Sequence, residues 1–208
     1  STQGYSSAAS DVYKRQTKNR GVSYSRNKGI KLANTKYITF IDSDDWIDLS
    51  TYEKCLKNIN EDVDIINFGV KFDKLVDYNS DTWYSYPKEL EVDGETALKL
   101  YTETLKNEIL VAPMVYNKIY KLDFLLKNHI NFYERVRYQE DDIFTFICLT
   151  QADKVKFIPN CYYHYFQRAD SVIHKSSKNS IDDFFKAFSY LKPVSYTHLR
   201  AHETGAYL

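Results

Sequence analysis

Apolar residues recur along this 208-residue sequence with two spacings, one typical of helices and one typical of strands. Helical spacing predicts helices at residues 22–34, 50–60, 94–105, 122–128, 141–149 and 181–191. Short β-prone runs predict strands at residues 36–42, 63–70, 155–158 and 162–166. The polar and aromatic stretch 82–91 is expected to be a loop. Ser50, with Glu53 three residues later, predicts a capping box at the start of its helix. Alternating helices and strands indicate the α/β fold class.

Composition narrows the range of functions. Acidic and basic residues balance at 28 each, so no basic excess indicates a nucleic acid partner. The three cysteines form no Cys-x-x-Cys pair, which indicates neither a disulfide framework nor a zinc site and fits a reducing cytoplasm. No apolar run in the sequence is long enough to cross a bilayer.

The two ends of the chain read as translated sequencing adaptors. Residues 6–16 match a transposase-type adaptor with its mosaic end, and residues 194–204 fit the reverse complement followed by the opposite adaptor. We therefore expect residues 1–16 and 193–208 to be non-native. Residues 17–192 are expected to form one domain, which is long enough for a sizeable core.

The most informative local feature is Asp42-Ser43-Asp44-Asp45, at the end of a predicted strand. Side chains alternate along an extended chain, so Asp42 and Asp44 are expected on one side at the strand's carboxyl end, where open α/β sheets bind ligands. Two carboxylates there suit a hard divalent cation that takes its other oxygens from water and phosphate. The alternative is an acidic turn, in which Asp45 or Asp48 caps the next element of the chain.

A second acidic cluster begins a predicted helix. Glu140, Asp141 and Asp142 follow one another there. The helix dipole favours acids at this position, so the cluster can have a purely stabilising role. A carboxylate within hydrogen-bond reach of a hydroxyl can instead act as a general base. Crowding by its two neighbours would raise the pKa of Asp141 and make it a stronger base.

Two blocks of sequence resemble family 2 glycosyltransferases. The first contains Asn19-Arg-Gly, then Ser25-Arg-Asn-Lys-Gly, then a strand ending in Asp42-Ser-Asp-Asp. The family shows Asn-x-Gly, an Ala-Arg-Asn-x-Gly helix and a strand ending in Asp-x-Asp, and Ser25 stands where alanine is usual. The second block contains Asn117-Lys-Ile-Tyr-Lys and then Glu140-Asp-Asp-Ile-Phe, which is similar to the family's Glu-Asp-x-x-Phe motif. Both the order and the spacing of the motifs match.

This resemblance implies a partial GT-A fold, a mixed sheet flanked by helices, from which the family's first βαβ portion is missing. That portion would end in an Asp-Asp-Gly-Ser-like turn. Because the sequence lacks it, we expect the 208-residue chain to be inactive alone. The implied reaction moves a sugar from a nucleotide-diphosphate donor to an acceptor hydroxyl with inversion. A UDP-sugar is the expected donor, and the cofactor is Mn²⁺ or Mg²⁺.

The resemblance also implies a biological setting. The acceptor would be a saccharide or a lipid-linked saccharide, and nucleic acid is not an expected partner. A role in bacterial surface polysaccharide synthesis is expected, in the cytoplasm and at the inner face of the plasma membrane. Peripheral membrane association through regions outside this chain is left open.

The donor-side residues follow from the first block. By resemblance, Arg26 would approach the nucleotide base, Asp42 the ribose and the metal, and Asp44 the metal bound to the diphosphate. Both aspartates are therefore predicted metal ligands. Asn27 would either contact the donor or hold the neighbouring loop.

The acceptor-side residues follow from the second block. By resemblance, Asp141 would be the catalytic base, flanked on the acceptor side by Glu140 and Asp142. A shift of the motif by one residue would make Asp142 the base instead. Lys118 could meet an acceptor or a phosphate, with a solvated or structural lysine as the alternative.

Two other functions compete with this one. A nucleotidyltransferase also holds a metal with acids at a strand end, and it would require a glycine-rich phosphate loop. A non-catalytic cation-binding domain would bind metal regardless of nucleotide. The processive members of the family carry Gln-x-x-Arg-Trp, which the sequence lacks, so a single-addition enzyme is favoured.

Overall fold

The computed structural model describes residues 18–57, 59–74, 82–107, 114–136 and 139–167. Its helices are α1 (Val22–Leu32), α2 (Thr51–Leu56), α3 (Gly94–Asn107), α4 (Leu122–Lys127) and α5 (Glu140–Gln151). Its strands are β1 (Tyr37–Thr39), β2 (Trp46–Ile47), β3 (Ile65–Lys74), β4 (Thr82–Tyr84), β5 (Leu90–Val92), β6 (Lys118–Lys121) and β7 (Val155–Gln167). This order confirms the predicted α/β class. Within these ranges, no helix is long and apolar enough to cross a membrane.

The strands form one mixed sheet. Its order is β1-β6-β3-β7-β2, with β4 added beside β3 and β5 beside β7. Strands β3 and β7 run parallel, and the other pairs are antiparallel. The long parallel pair is therefore the centre of the sheet, and every shorter strand except β1 pairs directly with one of its two members.

The two strands expected on either side of Pro159 are one continuous strand, β7. Its ladder with β3 skips Pro159 and Asn160 between the positions opposite Phe68 and Gly69. Proline has no N–H to donate, and a bulge is one of the few places where a strand accepts it. Gly69 makes room for the bulge, because a Cβ there would lie 2.6 Å from Sγ of Cys161.

The sheet buries an apolar surface on each side. Along β3, Ile65 belongs to one core cluster, whereas Ile66 and Phe68 belong to the other, as the two-residue period of a strand requires. Helix α2 adds Cys55 to the second cluster. The other helices contribute to the first cluster through Ile30, Ala97, Tyr101, Leu125, Ile143, Phe144 and Ile147.

The sequence pattern missed several short strands. The loop expected at residues 82–91 is wrong, because that stretch contains β4 and the beginning of β5. Strands β2 and β6 were also not predicted. Strands of two to four residues are too short to show an alternating pattern, and only their partners in the sheet define them. The helix expected at residues 181–191 lies outside the described residues.

The capping box expected at Ser50 is not formed. Ser50 precedes α2 with φ −99° and ψ 11°, and its side chain makes no capping hydrogen bond. A capping residue normally has extended backbone, which directs its hydroxyl at the first free N–H groups. Instead, Thr51 donates both its N–H and its hydroxyl to the carbonyl of Asp48. Helix α2 also ends at Leu56 rather than near residue 60, because the backbone of Lys57 is extended.

Gly94 provides a test of the helix packing on this sheet. It begins α3 against the end of α5, where a Cβ would overlap the carbonyl oxygen of Leu149 and lie 2.5 Å from that of Ala152. We expect Gly94→Ala to reduce the free energy of unfolding by about 2 kcal/mol, because helix backbone must move to admit the methyl group. Urea denaturation measures this change.

Gly29→Ala is the matched control. Gly29 lies inside α1, and nothing lies within 4 Å of an added Cβ. Alanine stabilises a helix interior by about 0.5–1 kcal/mol relative to glycine, so this variant should be more stable than the unmodified chain. Equal effects of the two substitutions would contradict the packing described for α3 and α5.

Candidate active site

The two acidic motifs meet at Arg26. Its Nη2 donates to Oδ1 of Asp42 at 3.2 Å, and its Nη1 donates to Oε1 of Glu140 at 3.2 Å and to Oδ1 of Asp141. Asp141 is 115 residues from Arg26 in the sequence. The arginine side chain is only 10% exposed. One buried guanidinium therefore joins the predicted donor side to the predicted acceptor side.

An aromatic cluster lies beside these ion pairs. Phe40, two residues before Asp42, contacts Phe132 and Phe144 edge to face, with ring centres 5.3 and 5.9 Å apart. Phe132 and Phe144 stack at 3.9 Å, and the guanidinium of Arg26 lies 5.3 Å from the centre of the Phe132 ring. These rings belong to the chain after β1, the loop after α4 and helix α5. Their packing in the core therefore determines how far apart the acidic motifs lie.

The segment Asp42-Ser43-Asp44-Asp45 is a turn. The extended strand end expected here is wrong, and the alternative, an acidic turn, is what forms. The N–H of Asp45 donates to the carbonyl of Asp42 at 3.2 Å. The hydroxyl of Tyr163 accepts from the N–H of Asp42 at 3.2 Å and donates to Oδ2 of Asp45 at 2.7 Å. The N–H of Phe166 donates to Oδ1 of Asp45 at 2.9 Å. Strand β7 thus bends the chain into the turn, and both oxygens of Asp45 support it.

Asp42 and Asp44 fit the requirements of a divalent cation. They supply carboxylate oxygens, the donors that Mg²⁺ and Mn²⁺ prefer. Asp44 is exposed, the side chain of Asp42 is 38% exposed, and its ion pair with Arg26 uses Oδ1. Among the described residues, no group of three or more His, Cys, Asp and Glu side chains could hold a metal ion. A cation here would take its remaining oxygens from water and donor phosphates, as Mg²⁺ commonly does.

Helix α5 places Glu140, Asp141 and Asp142 in its first turn. The preceding residue, Gln139, has φ 62°, a left-handed conformation that non-glycine residues seldom adopt and that is common at functional sites. The N–H of Val115 donates to the carboxylate of Asp141. Asp141 is thus held from two directions, by this N–H and by Arg26.

Burial is the main cause of the raised pKa values of these acids. The dipole at a helix N-terminus lowers carboxylate pKa values. Burial, with the adjacent charge of Asp141, nevertheless raises the pKa of Asp142 to about 6 and also raises the pKa of Glu140. Burial raises the pKa of Asp141 as well, although Arg26 opposes it. Carboxylates with raised pKa values are better suited to accept a proton from a hydroxyl.

Asn27 holds the loop after α4. Its Nδ2 donates to the carbonyl of Phe132 at 2.9 Å and to Oε1 of Glu134 at 3.3 Å, and its Oδ1 accepts from the N–H of Phe132 at 2.7 Å. This is the second of the two roles that the sequence left open. A contact between Asn27 and a donor stays a prediction.

Lys118 is a structural lysine, one of the alternatives that the sequence left open. It is 1% exposed, so a solvated lysine is excluded. Its Nζ donates to the carbonyl of Met114 at 2.7 Å and to Oδ1 of Asn117 at 2.8 Å, and burial lowers its pKa to about 7. It stabilises the segment whose Val115 N–H holds Asp141. The only signal in the sequence was the block around Asn117 and Lys118.

Comparison with solved structures identifies the fold class of this chain. The chain is similar to residues 1–349 of TarS from Staphylococcus aureus in complex with UDP-GlcNAc, with a TM-score of 0.64, 20% identity, and coverage of 85% of this chain and 48% of that chain. For the same protein in complex with UDP, the TM-score is 0.60 at 21% identity, covering 82% of this chain and 44% of that chain. This likeness confirms the predicted GT-A fold.

Sequence comparison then defines the family. The sequence model of "Glycosyl transferase family 2" matches residues 11–116, about half of the chain, including Arg26, Asp42 and Asp44. The chain belongs to glycosyl transferase family 2, as the motifs predicted.

Curated relatives agree with this assignment. The uncharacterized glycosyltransferase EpsJ of Bacillus subtilis (strain 168) is 26% identical over 183 residues, which cover 86% of this chain and 52% of EpsJ. The poly(ribitol-phosphate) beta-N-acetylglucosaminyltransferase TarS of Staphylococcus aureus (strain MW2) is 26% identical over 171 residues, which cover 82% of this chain and 28% of TarS. The chain spans about half the length, or less, of the curated relatives it matches.

The raised pKa of Asp142 predicts a pH-dependent gain in stability when its charge is removed. The pKa is about 6 in the folded chain and about 3.9 in an unfolded one, so the folded chain binds more protons between these values. Asp142 therefore reduces stability as pH rises through that window, and the cost persists above it. We expect Asp142→Asn to raise the free energy of unfolding by about 1 kcal/mol near pH 7.5 and to have little effect near pH 4.

Urea denaturation at both pH values checks this prediction. Asp123→Asn is the control, because Asp123 lies in the first turn of α4 but is exposed. It should give no gain in stability at either pH. A loss of stability in Asp142→Asn near pH 7.5 would show that the folded chain needs this charge.

Proposed function

We propose that this protein transfers a sugar from a UDP-sugar donor to a hydroxyl of a saccharide or lipid-linked saccharide acceptor, with inversion and with Mn²⁺ or Mg²⁺. The observation that carries the proposal is the convergence of the Asp42 turn and the carboxylates of α5 on Arg26. Family membership supports the reaction class. The structures of TarS with UDP and UDP-GlcNAc support the choice of donor.

On the donor side, Asp42 and Asp44 would hold a divalent cation that also binds the donor diphosphate. A bound divalent cation supplies Lewis-acid stabilisation of the charge that develops on the leaving diphosphate. Asp45 keeps these two side chains in place by bonding to Tyr163 and to the N–H of Phe166. Asp45 is thus a supporting residue of the turn, and Asp42 and Asp44 are the metal ligands.

On the acceptor side, Asp141 takes the proton from the acceptor hydroxyl. Its carboxylate is oriented by Arg26 and by the N–H of Val115, and its raised pKa favours proton uptake. The activated oxygen attacks the anomeric carbon from the side opposite the diphosphate, and a single displacement of this kind inverts the configuration. Glu140 and Asp142 lie beside Asp141 in the same helical turn, where they would contact the acceptor.

The biological setting is also part of this proposal. Relatives of the chain include the "Minor teichoic acid biosynthesis protein GgaB" of Bacillus subtilis (strain 168), 29% identical over 157 residues. That name and the name of TarS support a role in bacterial surface polysaccharide synthesis. A cytoplasmic location, at the inner face of the plasma membrane, stays a prediction.

Isothermal titration with UDP, with and without Mn²⁺, tests the donor site in the gene product that contains residues 17–192 in their native setting. We expect UDP to bind at least tenfold more tightly with Mn²⁺, and we expect Asp42→Asn and Asp44→Asn to remove that enhancement, because each loses a charged ligand. Asp62→Asn is the control, since Asp62 is exposed and pairs with Lys154. Metal binding indifferent to UDP would indicate a cation-binding domain. If Mn²⁺ strengthens the binding of a nucleoside triphosphate but not the binding of UDP, the protein is a nucleotidyltransferase.

The base is tested by Asp141→Asn in the gene product that contains residues 17–192 in their native setting. We expect kcat to fall by 10²- to 10⁴-fold, the usual contribution of a general base. Affinity for UDP with Mn²⁺ should change much less than in Asp42→Asn, because Asp141 acts on the acceptor and is not a metal ligand. A larger loss in Asp142→Asn than in Asp141→Asn would identify Asp142 as the base.

The 208-residue chain by itself is expected to show neither transfer nor donor hydrolysis. Its sequence contains no Asp-Asp-Gly-Ser-like turn to bind the nucleotide. Incubating the purified chain with UDP-sugars and Mn²⁺, and measuring released UDP, tests this expectation. Release of UDP that depends on Asp42 would contradict it.

A further inference from the structure

We propose that Arg26 is an internal cation that competes with the divalent metal for Asp42 and thereby couples metal binding to the carboxylates at the start of α5. This inference rests on the proposed function, since it concerns the same metal site. It assigns to Arg26 a role different from the nucleotide contact that the family resemblance implies.

The division of the guanidinium between two motifs is the first observation. Nη2 donates to Oδ1 of Asp42, whereas Nη1 donates to Glu140 and Asp141. The two sets of bonds use different nitrogens of one planar group. Arg26 can therefore lose its bond to Asp42 and keep its bonds to α5.

The anchoring of Arg26 is the second observation. Its guanidinium lies against the ring of Phe132, and the next residue, Asn27, bonds to the backbone of Phe132 through both ends of its amide. The side chain is 10% exposed. These contacts keep the arginine beside Asp42, so an arriving cation meets a positive charge that cannot move far into solvent.

The charge of the cluster is the third observation. Asp42, Glu140 and Asp141 carry three negative charges when ionised, and Arg26 supplies one positive charge. One arginine therefore leaves an excess of negative charge among them. Arg26 holds Oδ1 of Asp42, so a divalent cation on the same carboxylate lies within a few ångströms of the guanidinium, and like charges at that distance repel strongly where water is partly excluded.

Coupling follows from these three observations. When a cation binds Asp42, the guanidinium loses a partner on the donor side and its charge acts more fully on Asp141 and Glu140. Arg26 is then a positioning residue for Asp141 that responds to metal occupancy. Without a bound cation, Arg26 joins the predicted base, Asp141, to Asp42 on the donor side.

Mn²⁺ binding to the chain without nucleotide tests the competition directly. We expect Arg26→Gln to bind Mn²⁺ about tenfold more tightly than the unmodified chain, because a competitor is lost and the local negative charge increases. Arg26→Lys, which keeps the charge but not the two-nitrogen geometry, should show a smaller increase. Lys156→Gln is the matched control, since Lys156 pairs with Glu89 and Glu91 elsewhere on the sheet, and it should leave the affinity unchanged.

An unchanged or weaker affinity for Mn²⁺ in Arg26→Gln would overturn the proposal, as would the failure of both chains to bind Mn²⁺. If Arg26→Gln does not fold, the unmodified chain supplies the test. Titration with Mg²⁺ should then shift the side-chain Nε–H signal of Arg26 in NMR spectra with the same midpoint as metal binding, and an unmoved signal contradicts the competition.

Failure of this proposal can be distinguished from failure of the proposed transferase function. If Mn²⁺ binds as expected but UDP does not bind with it in the gene product that contains residues 17–192, the transferase proposal fails and the competition at Asp42 stands. If UDP binds cooperatively with Mn²⁺ and Arg26→Gln weakens only UDP binding, Arg26 is a nucleotide contact and the competition is refuted.

Discussion

The burial of one guanidinium organises this site. A cation that is 10% exposed requires negative partners, because an uncompensated buried charge costs several kcal/mol. Arg26 finds them in Asp42, Glu140 and Asp141, which belong to a turn after β1 and to the start of α5. Helix α1, that turn and α5 are therefore held in one relative arrangement, with acids of both motifs bonded to the same guanidinium.

The surrounding core gives this arrangement its rigidity. Phe40, Phe132 and Phe144 pack on one another, and each lies within a few residues of a charged or polar residue of the site. Lys118, fully enclosed, bonds to the segment that carries Val115. The acids of α5 have raised pKa values, and Gln139 is a non-glycine residue at positive φ. Both features reduce stability, and features of this kind are concentrated where a protein binds or reacts.

Regular elements were predictable where the pattern is long. Helix α1, helix α3 and strand β3 lie close to their predicted positions, because each shows several turns or alternations of apolar residues. The short strands β2, β4 and β6 were not predictable, since a strand of a few residues exists only through its partners. An acidic turn at Asp42 was one of the two alternatives that the sequence left open, and only the contacts with Tyr163 and Phe166 of β7, about 120 residues away, decide between them.

The amino-acid sequence by itself determined the family and the reactive side chains of the site. The order and spacing of its acidic motifs indicated two carboxylates that bind a cation and a third that accepts a proton. These chemical roles depend on the type of residue at each position. Only the tertiary structure decided which aspartate supports the turn, that Asn27 holds a loop, and that Arg26 joins the two motifs. The reason is that hydrogen bonds and ring packing between distant segments assign each side chain its partner, and these contacts exist only once the sheet and helices have packed together.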